Sequence, residues 1–278
     1  MAKLTKAQTK AHKEAEAILT KDRLSDDERA FVFDNWHEGA THNNGTAGAF
    51  FTPDGLAGDC AIDAVAGRVI DLCAGIGALA SNVVALGSSR SAVREMVCVE
   101  INPRYAEIGR KLVPEARWIV ADVMDWRNWW KTDLEAEMFD SAISNPPFGK
   151  VRRNGNGPRY QGPEFEFHVI DIASQLADRG TFIIPQMSSS FVYSGAQFYD
   201  RRKEGRGLDF ERLTGLHMEC GIGVDTTFYR DCWKDVSPLC EIVTIDFEDA
   251  RECMSTAAEP AAPSFHIPAR PAQQLALF

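Results

Sequence analysis

The sequence has no stretch of about 18 consecutive apolar residues, so it offers no transmembrane helix. Its opening, MAKLTKAQTKAHKEAEAIL, lacks the apolar segment of roughly 7–15 residues that a secretory signal needs. No two of the seven cysteines form a C-x-x-C pair. At positions 60, 73, 98, 220, 232, 240 and 253 they read as reduced thiols, neither a disulfide frame nor a zinc site. Positive charge is also short: 30 Lys and Arg stand against 40 Asp and Glu, a net −10. Any contact with nucleic acid must then come from local basic patches. These absences predict a soluble cytoplasmic protein. What is present is ordinary core material. With 278 residues, 45% apolar and 25% charged, the chain is neither wholly disordered nor a disulfide-stapled miniprotein. One α/β domain with extended ends, or two domains, would suit that length.

Local patterns divide the chain into three parts: N-terminal helices over 1–40, a catalytic α/β domain over 41–250 and a Pro/Ala-rich tail over 251–278. Lys3, Lys6, Lys10 and Lys13 line one face of a helix predicted over 3–20, a solvated face or else a phosphate contact. Ser25 with Glu28 is a capping box, so a second helix is predicted from residue 26, with Phe31, Val32 and Trp36 on one stripe. THNNGTAG (41–48) reads as loop. Strands are then predicted at 68–72, 96–100, 117–122, 139–144 and 181–185. They are separated by a helix after Gly77, a helix over 103–112, and one carrying Phe165, Val169, Ile172 and Leu176 that Gly180 would close. Two late apolar stretches, 216–224 and 239–247, are candidates for an edge hairpin. Strands alternating with helices imply a Rossmann-like, doubly wound, mainly parallel sheet with an antiparallel edge hairpin. Ligands in such sheets sit beyond the carboxyl ends of the strands.

Three strand ends carry candidate ligand groups. Asp71-Leu-Cys-Ala74-Gly75-Ile-Gly77 is a glycine turn between strand and helix, where the backbone can bend sharply against a ligand. Glu100, with Ile101 beside it, ends the next strand and can accept two ribose hydroxyls. Asp122, with Val123 beside it, ends the third and can accept from an adenine amine. The turn is not the G-x-G-x-x-G of a dinucleotide site, and a cofactor without phosphate suits its shorter form better.

The fourth strand runs into Asn145-Pro146-Pro147-Phe148, and here the sequence resembles the S-adenosylmethionine-dependent amino-methyltransferases. In that resemblance Asn145–Phe148 corresponds to motif IV, Asp71–Gly77 to motif I, Glu100 to motif II and Asp122 to motif III. Ala49-Phe50-Phe51-Thr52-Pro53 corresponds to motif X, whose Phe51, Thr52 and Pro53 would lie over the methionine part of the cofactor. The order X, I, II, III, IV, covering roughly 45–250, is that of the gamma group of DNA adenine-N6 methyltransferases. Phe-Phe-Thr-Pro upstream is similar to the modification subunits of type I restriction systems. The resemblance implies the class I methyltransferase fold, S-adenosylmethionine as cofactor and methyl transfer to adenine N6, with Asn145 also beside the cofactor. The residue types suit that chemistry. An exocyclic amine is a poor nucleophile because its lone pair is delocalised into the ring. The Asn145 side-chain oxygen and the Pro146 carbonyl can each accept one of its hydrogens, and the two prolines stiffen the turn. Phe148 would stack on a base flipped out of the duplex. In the family a second aromatic closes the other face of that base, for which Phe228 and Tyr229 are candidates. His217, Cys220, Cys232 and Cys240 match no zinc spacing, so no metal is expected.

Directly after Gly149 come Lys150, Arg152, Arg153 and Arg159 among glycines, a mobile cationic loop suited to phosphates or simply to solvent. Arg201, Arg202, Lys203 and Arg206 form a second basic cluster, diluted by Asp200, Glu204 and Asp209. Gamma-group enzymes usually carry a large target-recognition domain after these motifs, and little sequence remains here for one. Gln274, Leu275, Leu277 and Phe278 resemble the pentapeptide that binds the bacterial sliding clamp, which implies the clamp as a partner beside DNA. RNA adenine-N6 methyltransferases share N-P-P-F-G followed by a basic glycine-containing loop, so RNA is the alternative substrate. A catalytically silent DNA- or clamp-binding adaptor with this fold is the alternative of another class.

Overall fold

A computed structural model describes residues 4–37, 50–64, 67–90, 93–234 and 236–251. Ala49, the loop at 41–48 and the clamp-like Gln274, Leu275, Leu277 and Phe278 lie outside the described residues.

Two helices come first, α1 (Lys6–Ile18) and α2 (Asp26–Asn35), each opened by a reciprocal capping box, Thr5 with Gln8 and Ser25 with Glu28. Helix α3 (Asp54–Ile62) follows. Then β1 (Gly67–Leu72), α4 (Ala78–Arg90), β2 (Val93–Glu100), α5 (Pro103–Leu112), β3 (Arg117–Val120), α6 (Trp126–Asp133) and β4 (Phe139–Ser144) alternate along the chain. After a long loop come α7 (Phe165–Leu176), β5 (Ala177–Pro185), a small pair β6 (Phe191–Val192) and β7 (Asp200–Arg201), helix α8 (Arg206–Thr214) and β8 (Cys240–Asp246).

Strand order is β3-β2-β1-β4-β5-β8, with the first five parallel and β8 antiparallel to β5 from Arg179↔Asp246 to Pro185↔Cys240. The order reverses between β1 and β4, so the chain winds outward from the sheet centre in both directions, as expected. Alternation along each strand feeds two cores. Ile70, Leu72, Val97, Val99, Phe182, Ile184 and Val243 face α6, α7 and α8. Val69, Met96, Cys98, Ile143, Ile183 and Ile242 face α3, α4 and α5, with α1 and α2 outside them. The N-terminal helices dock on α5: Arg104 pairs with Glu16 at 2.7 Å, and Lys111 Nζ donates to the Leu19 carbonyl at 2.7 Å.

Three boundaries differ from expectation. The third strand ends at Val120, and Asp122 instead caps a short 3-10 turn by accepting from Met124 N–H at 2.9 Å. The stretch at 216–224 meets its partner only at one antiparallel bridge, Glu219 to Thr244, because Gly221 and Gly223 take φ of +54° and +74° and break the extended run. Gly180 does not close α7. The helix stops at Leu176, Ala177 is already extended, and Gly180 sits inside β5. A Cβ there would lie 2.4 Å from the Phe182 ring and 2.7 Å from Phe247, so the glycine makes room for two buried rings. Gly180→Ala should therefore destabilise the fold by about 1–3 kcal/mol through overpacking. Urea unfolding measures it, and a change below about 0.5 kcal/mol would contradict this packing.

Candidate active site

Beyond the carboxyl ends of β1, β2 and β4 lies a cavity of about 380 Å³, within the range of small-molecule sites. The β1–α4 turn forms its floor, with φ of +64° at Cys73, +58° at Gly75 and +95° at Gly77. A Cβ on Gly75 would come within 3.2 Å of the Phe51 ring, and one on Gly77 within 3.0 Å of Val113. Both glycines thus answer a positive φ and a close approach together. Glu100 locks the turn from the next strand. Its carboxylate accepts from Gly75 N–H at 2.8 Å and from Asn102 N–H at 2.7 Å. Burial pushes its pKa up to about 7, against the pull of those amides. Asp71 ends β1 at 1% exposure, and neither of its oxygens has a hydrogen-bond partner. Burial, then the Glu100 carboxylate, raises its pKa well above the carboxylate range. The same burial and the carboxylates of Glu100, Asp71 and Asp122 raise the Cys73 thiol well above its ordinary value.

The facing wall comes from Phe50 and Phe51, with Thr52 on a small adjoining space; Pro53 lines neither. The Asn145 side-chain Nδ2 donates to the Phe50 carbonyl at 3.1 Å and to Thr52 Oγ1 at 2.9 Å. Two acceptors fix the amide's orientation, and Oδ1 is left buried without a partner. Asn145 and Pro147 line the large cavity, while Asn145 with Phe50, Thr52 and Asp71 also lines a small adjoining one of about 30 Å³. Ile101, Asp122 and Val123 line the far end. The structure thus brings Phe51, Gly75, Glu100, Asp122 and Asn145 around one space, with Asp71 on the small one adjoining it. Phe148 is half-buried and packs against the α3–α5 core.

Several wall residues carry no motif in the sequence. Tyr105, on the first turn of α5, packs edge-on against Phe51 at 5.3 Å, and Trp36 touches both rings at 5.7 and 5.8 Å. Trp36 is held by Glu16, to which its Nε1 donates at 2.7 Å. The N-terminal helices therefore back the cavity wall.

The loop from 149 to 164 differs from the mobile cationic segment expected. It is fastened along α7. Gly149 N–H donates to Glu166 Oε2 at 2.8 Å, Gly157 N–H to His168 Nδ1 at 2.8 Å, and Tyr160 N–H to Asp171 Oδ2 at 2.8 Å, while the Tyr160 hydroxyl donates to Glu164. Arg159 is a correction: its guanidinium turns inward to buried Asp171 at 2.8 Å, to the Thr214 carbonyl at 3.0 Å and to Ser174 at 2.5 Å, so those donors are committed away from phosphates. Arg153 spans its own loop to Gly155, Asn156 and Gly162. Arg152 and Arg153 reach the cavity rim, and Lys150 is exposed. In the second cluster Arg201 is tied to Glu211 at 2.5 Å and Arg202 to the Gln186 carbonyl at 3.0 Å. The two candidates for a second stacking aromatic differ in setting. Phe228 is 82% exposed, and Tyr229 turns toward α3, donating to Asp59 at 2.5 Å. Neither lines the cavity. Among the described residues no His, Cys, Asp and Glu cluster is arranged to hold a metal.

A parallel sheet of this order with a glycine turn, a strand-end acid and Asn-Pro-Pro-Phe at successive carboxyl ends has the class I methyltransferase fold. Solved structures agree. A protein from Listeria monocytogenes assigned to the class I S-adenosylmethionine-dependent methyltransferases superposes with a TM-score of 0.53 at 11% identity, over 87% of this chain and 81% of that one. The methyltransferase subunit of a type I restriction-modification system from Streptococcus thermophilus gives 0.52 at 14% identity, over 82% of this chain and 51% of that subunit, so the chain spans about half its length. No protein-family model and no curated protein matches the sequence.

Arg159→Ala should cost about 3–5 kcal/mol of stability, because it strands the buried Asp171 carboxylate. Thermal or urea unfolding checks it; unchanged stability with weakened nucleic-acid binding would restore the phosphate role.

Proposed function

We propose that this protein transfers a methyl group from S-adenosylmethionine to the N6 amine of adenine in DNA. The observation that carries the reading is the buried, partnerless Asn145 Oδ1 at the cavity, since an unpaired acceptor costs about 1–3 kcal/mol unless a ligand supplies the donor. The residues present fit the cofactor. The cavity is nucleoside-sized, its walls are mostly apolar, and Glu100 and Asp122 both line it as acceptors for ribose hydroxyls and an adenine amine. Asp71 lies with Thr52 and Asn145 in the adjoining space, suited to the methionine end. When bound, S-adenosylmethionine supplies a strongly electrophilic methyl group.

The protein's own part is alignment. Asn145 Oδ1 and the Pro146 carbonyl accept the two amine hydrogens, which draws the nitrogen lone pair out of the ring and toward the methyl donor. Phe50 and Thr52 hold the amide so that its oxygen cannot rotate away. Phe148 gives the extruded base a ring to stack on, offsetting part of the cost of flipping. Arg152 at the rim and the exposed Lys150 beside it are available to the flanking phosphates. DNA is favoured over RNA by Asn-Pro-Pro-Phe occurring together with Phe-Phe-Thr-Pro upstream.

Labelled methyl transfer to duplex DNA, single-stranded DNA, ribosomal RNA and protein tests the substrate. Transfer to RNA alone would replace DNA in this reading, and no transfer to any would leave the silent adaptor. Asn145→Ala should lower kcat on the order of 10²–10³-fold, as removal of one preorganised hydrogen-bonding group does elsewhere. Its cofactor affinity should stay within a few-fold; unchanged turnover refutes the assigned role.

A pH effect follows from Glu100. Its folded pKa of about 7 exceeds its ordinary 4.5, so the stability it contributes is lost as pH rises between those values. Ribose hydroxyls need the ionised form, so binding should release a proton. The Kd for S-adenosylhomocysteine should rise about tenfold from pH 8 to pH 6, as the ionised fraction falls. Calorimetry reads both, and Glu100→Gln should flatten the profile while weakening binding. A flat profile in the unaltered protein contradicts the ribose contact.

A further inference from the structure

Glu166 is fully buried on the first turn of α7, yet lines no part of the cavity. Its two carboxylate oxygens serve different loops. Oε2 accepts from the backbone N–H of Gly149 at 2.8 Å, and Oε1 accepts from the Ser188 hydroxyl at 2.6 Å. Gly149 directly follows Phe148, the last residue of the Asn145–Phe148 turn. Ser188 is itself fully buried in the 3-10 turn after β5. One side chain thus fastens the loop beyond β4 to the loop beyond β5.

Stability alone does not account for a carboxyl group here. A buried carboxyl held by one amide and one hydroxyl repays little of its desolvation, and a well-packed apolar side chain would serve the core better. The other side chains that fasten the same loop, on α7 or at its N-cap, hold residues farther from the turn. Glu164 holds Tyr160, His168 holds Gly157, and Asp171 holds Arg159 and Tyr160. Glu166 grips the residue next to the turn that aims the acceptors. Gly149 has φ +75°, and a Cβ there would meet nothing within 4 Å, so side-chain packing does not hold that end of the turn. The Glu166 bond to its amide does, together with the Gly149 carbonyl, which accepts from Phe165 N–H at 2.8 Å.

We propose that Glu166 is a positioning residue for methyl transfer: it holds Gly149 and Ser188 together and so keeps the Asn145–Phe148 turn aimed at the target amine. The proposal rests on the methyl-transfer reading. Misplacement of reacting groups by about 1 Å can cost on the order of 10² in rate, which sets the expected scale.

The test compares Glu166→Ala, Glu166→Gln and Ser188→Ala in the full-length protein. It reads kcat and KM for the nucleic acid that the unaltered protein methylates, Kd for S-adenosylhomocysteine, and exchange of the Gly149 amide by NMR. Glu166→Ala should lower kcat about 10- to 100-fold, hold the Kd within about threefold and speed Gly149 exchange. Glu166→Gln should recover kcat to within about threefold, because its amide oxygen accepts from Gly149 while its nitrogen donates to Ser188 Oγ. Ser188→Ala should fall between the two. If Glu166→Ala turns over normally, or if its loss matches a loss of cofactor binding and Gln restores neither, the proposal is overturned. If Glu166→Ala does not fold, Glu166→Gln and Ser188→Ala decide: a kcat deficit in Gln as large as that of Asn145→Ala, or none in Ser188→Ala, overturns it. Absence of transfer by the unaltered protein overturns the methyl-transfer reading, and this proposal with it; transfer that ignores Glu166 overturns this proposal alone.

Discussion

A single amide group sets the chemistry of the cavity. Asn145 has two faces, and the structure spends one of them completely. Nδ2 gives its hydrogens to the Phe50 carbonyl and Thr52 Oγ1, two acceptors from a segment almost a hundred residues away in the chain. Rotating the amide would set oxygen against the Phe50 carbonyl oxygen, which can only accept, so Oδ1 stays turned inward, buried and unmatched. The cost of that unmatched atom is tolerable only because the surrounding fold over-determines it. Ser144, the preceding residue, donates to the Leu72 carbonyl at the end of β1, which ties the start of the turn to the glycine turn beside it.

The rest of the architecture supports that group. Parallel β1, β2 and β4 end together, so residues distant in sequence share one rim. Glu100 fixes the backbone of the neighbouring turn through Gly75, and Phe51 packs where a larger residue than glycine would collide. Behind Phe51 stand Tyr105 and Trp36, and behind Trp36 stands Glu16 of α1. The outer helices contribute to the cavity without touching it. The loop after the turn is fastened at intervals along α7, by Glu166, His168 and Asp171, which leaves its backbone little freedom despite its glycines.

Local signals in the sequence were readable and distant ones were not. The strands could be recognised because alternation and apolar density are properties of adjacent residues. Glu100 and Asp122 could be placed because a strand's end is a local event and the fold brings such ends together. The capping boxes at Thr5 and Ser25 are three-residue patterns, and Ser25 was legible for that reason. Arg159 misled because its destination is Asp171, on a helix the loop reaches only by folding back. A run of arginines looks the same in sequence whether it meets phosphates or a buried carboxylate. Gly180 misled similarly: its position after a helical stripe suggests a cap, while the reason for glycine there is the Phe247 ring contributed by a segment much later in the chain. Tyr229 was drawn to Asp59 by the same kind of long-range contact.

Cys73 gives the cavity one more property. Its thiol borders the space proposed for an alkylating cofactor, and a sulfur anion there would be the best nucleophile within reach. Its own burial first, and then the neighbouring Glu100, Asp71 and Asp122 carboxyl groups, keep the proton on that sulfur. On the methyltransferase reading, the acidic residues that receive the cofactor also protect the enzyme from consuming the reagent on itself, so idle complexes should persist without self-modification.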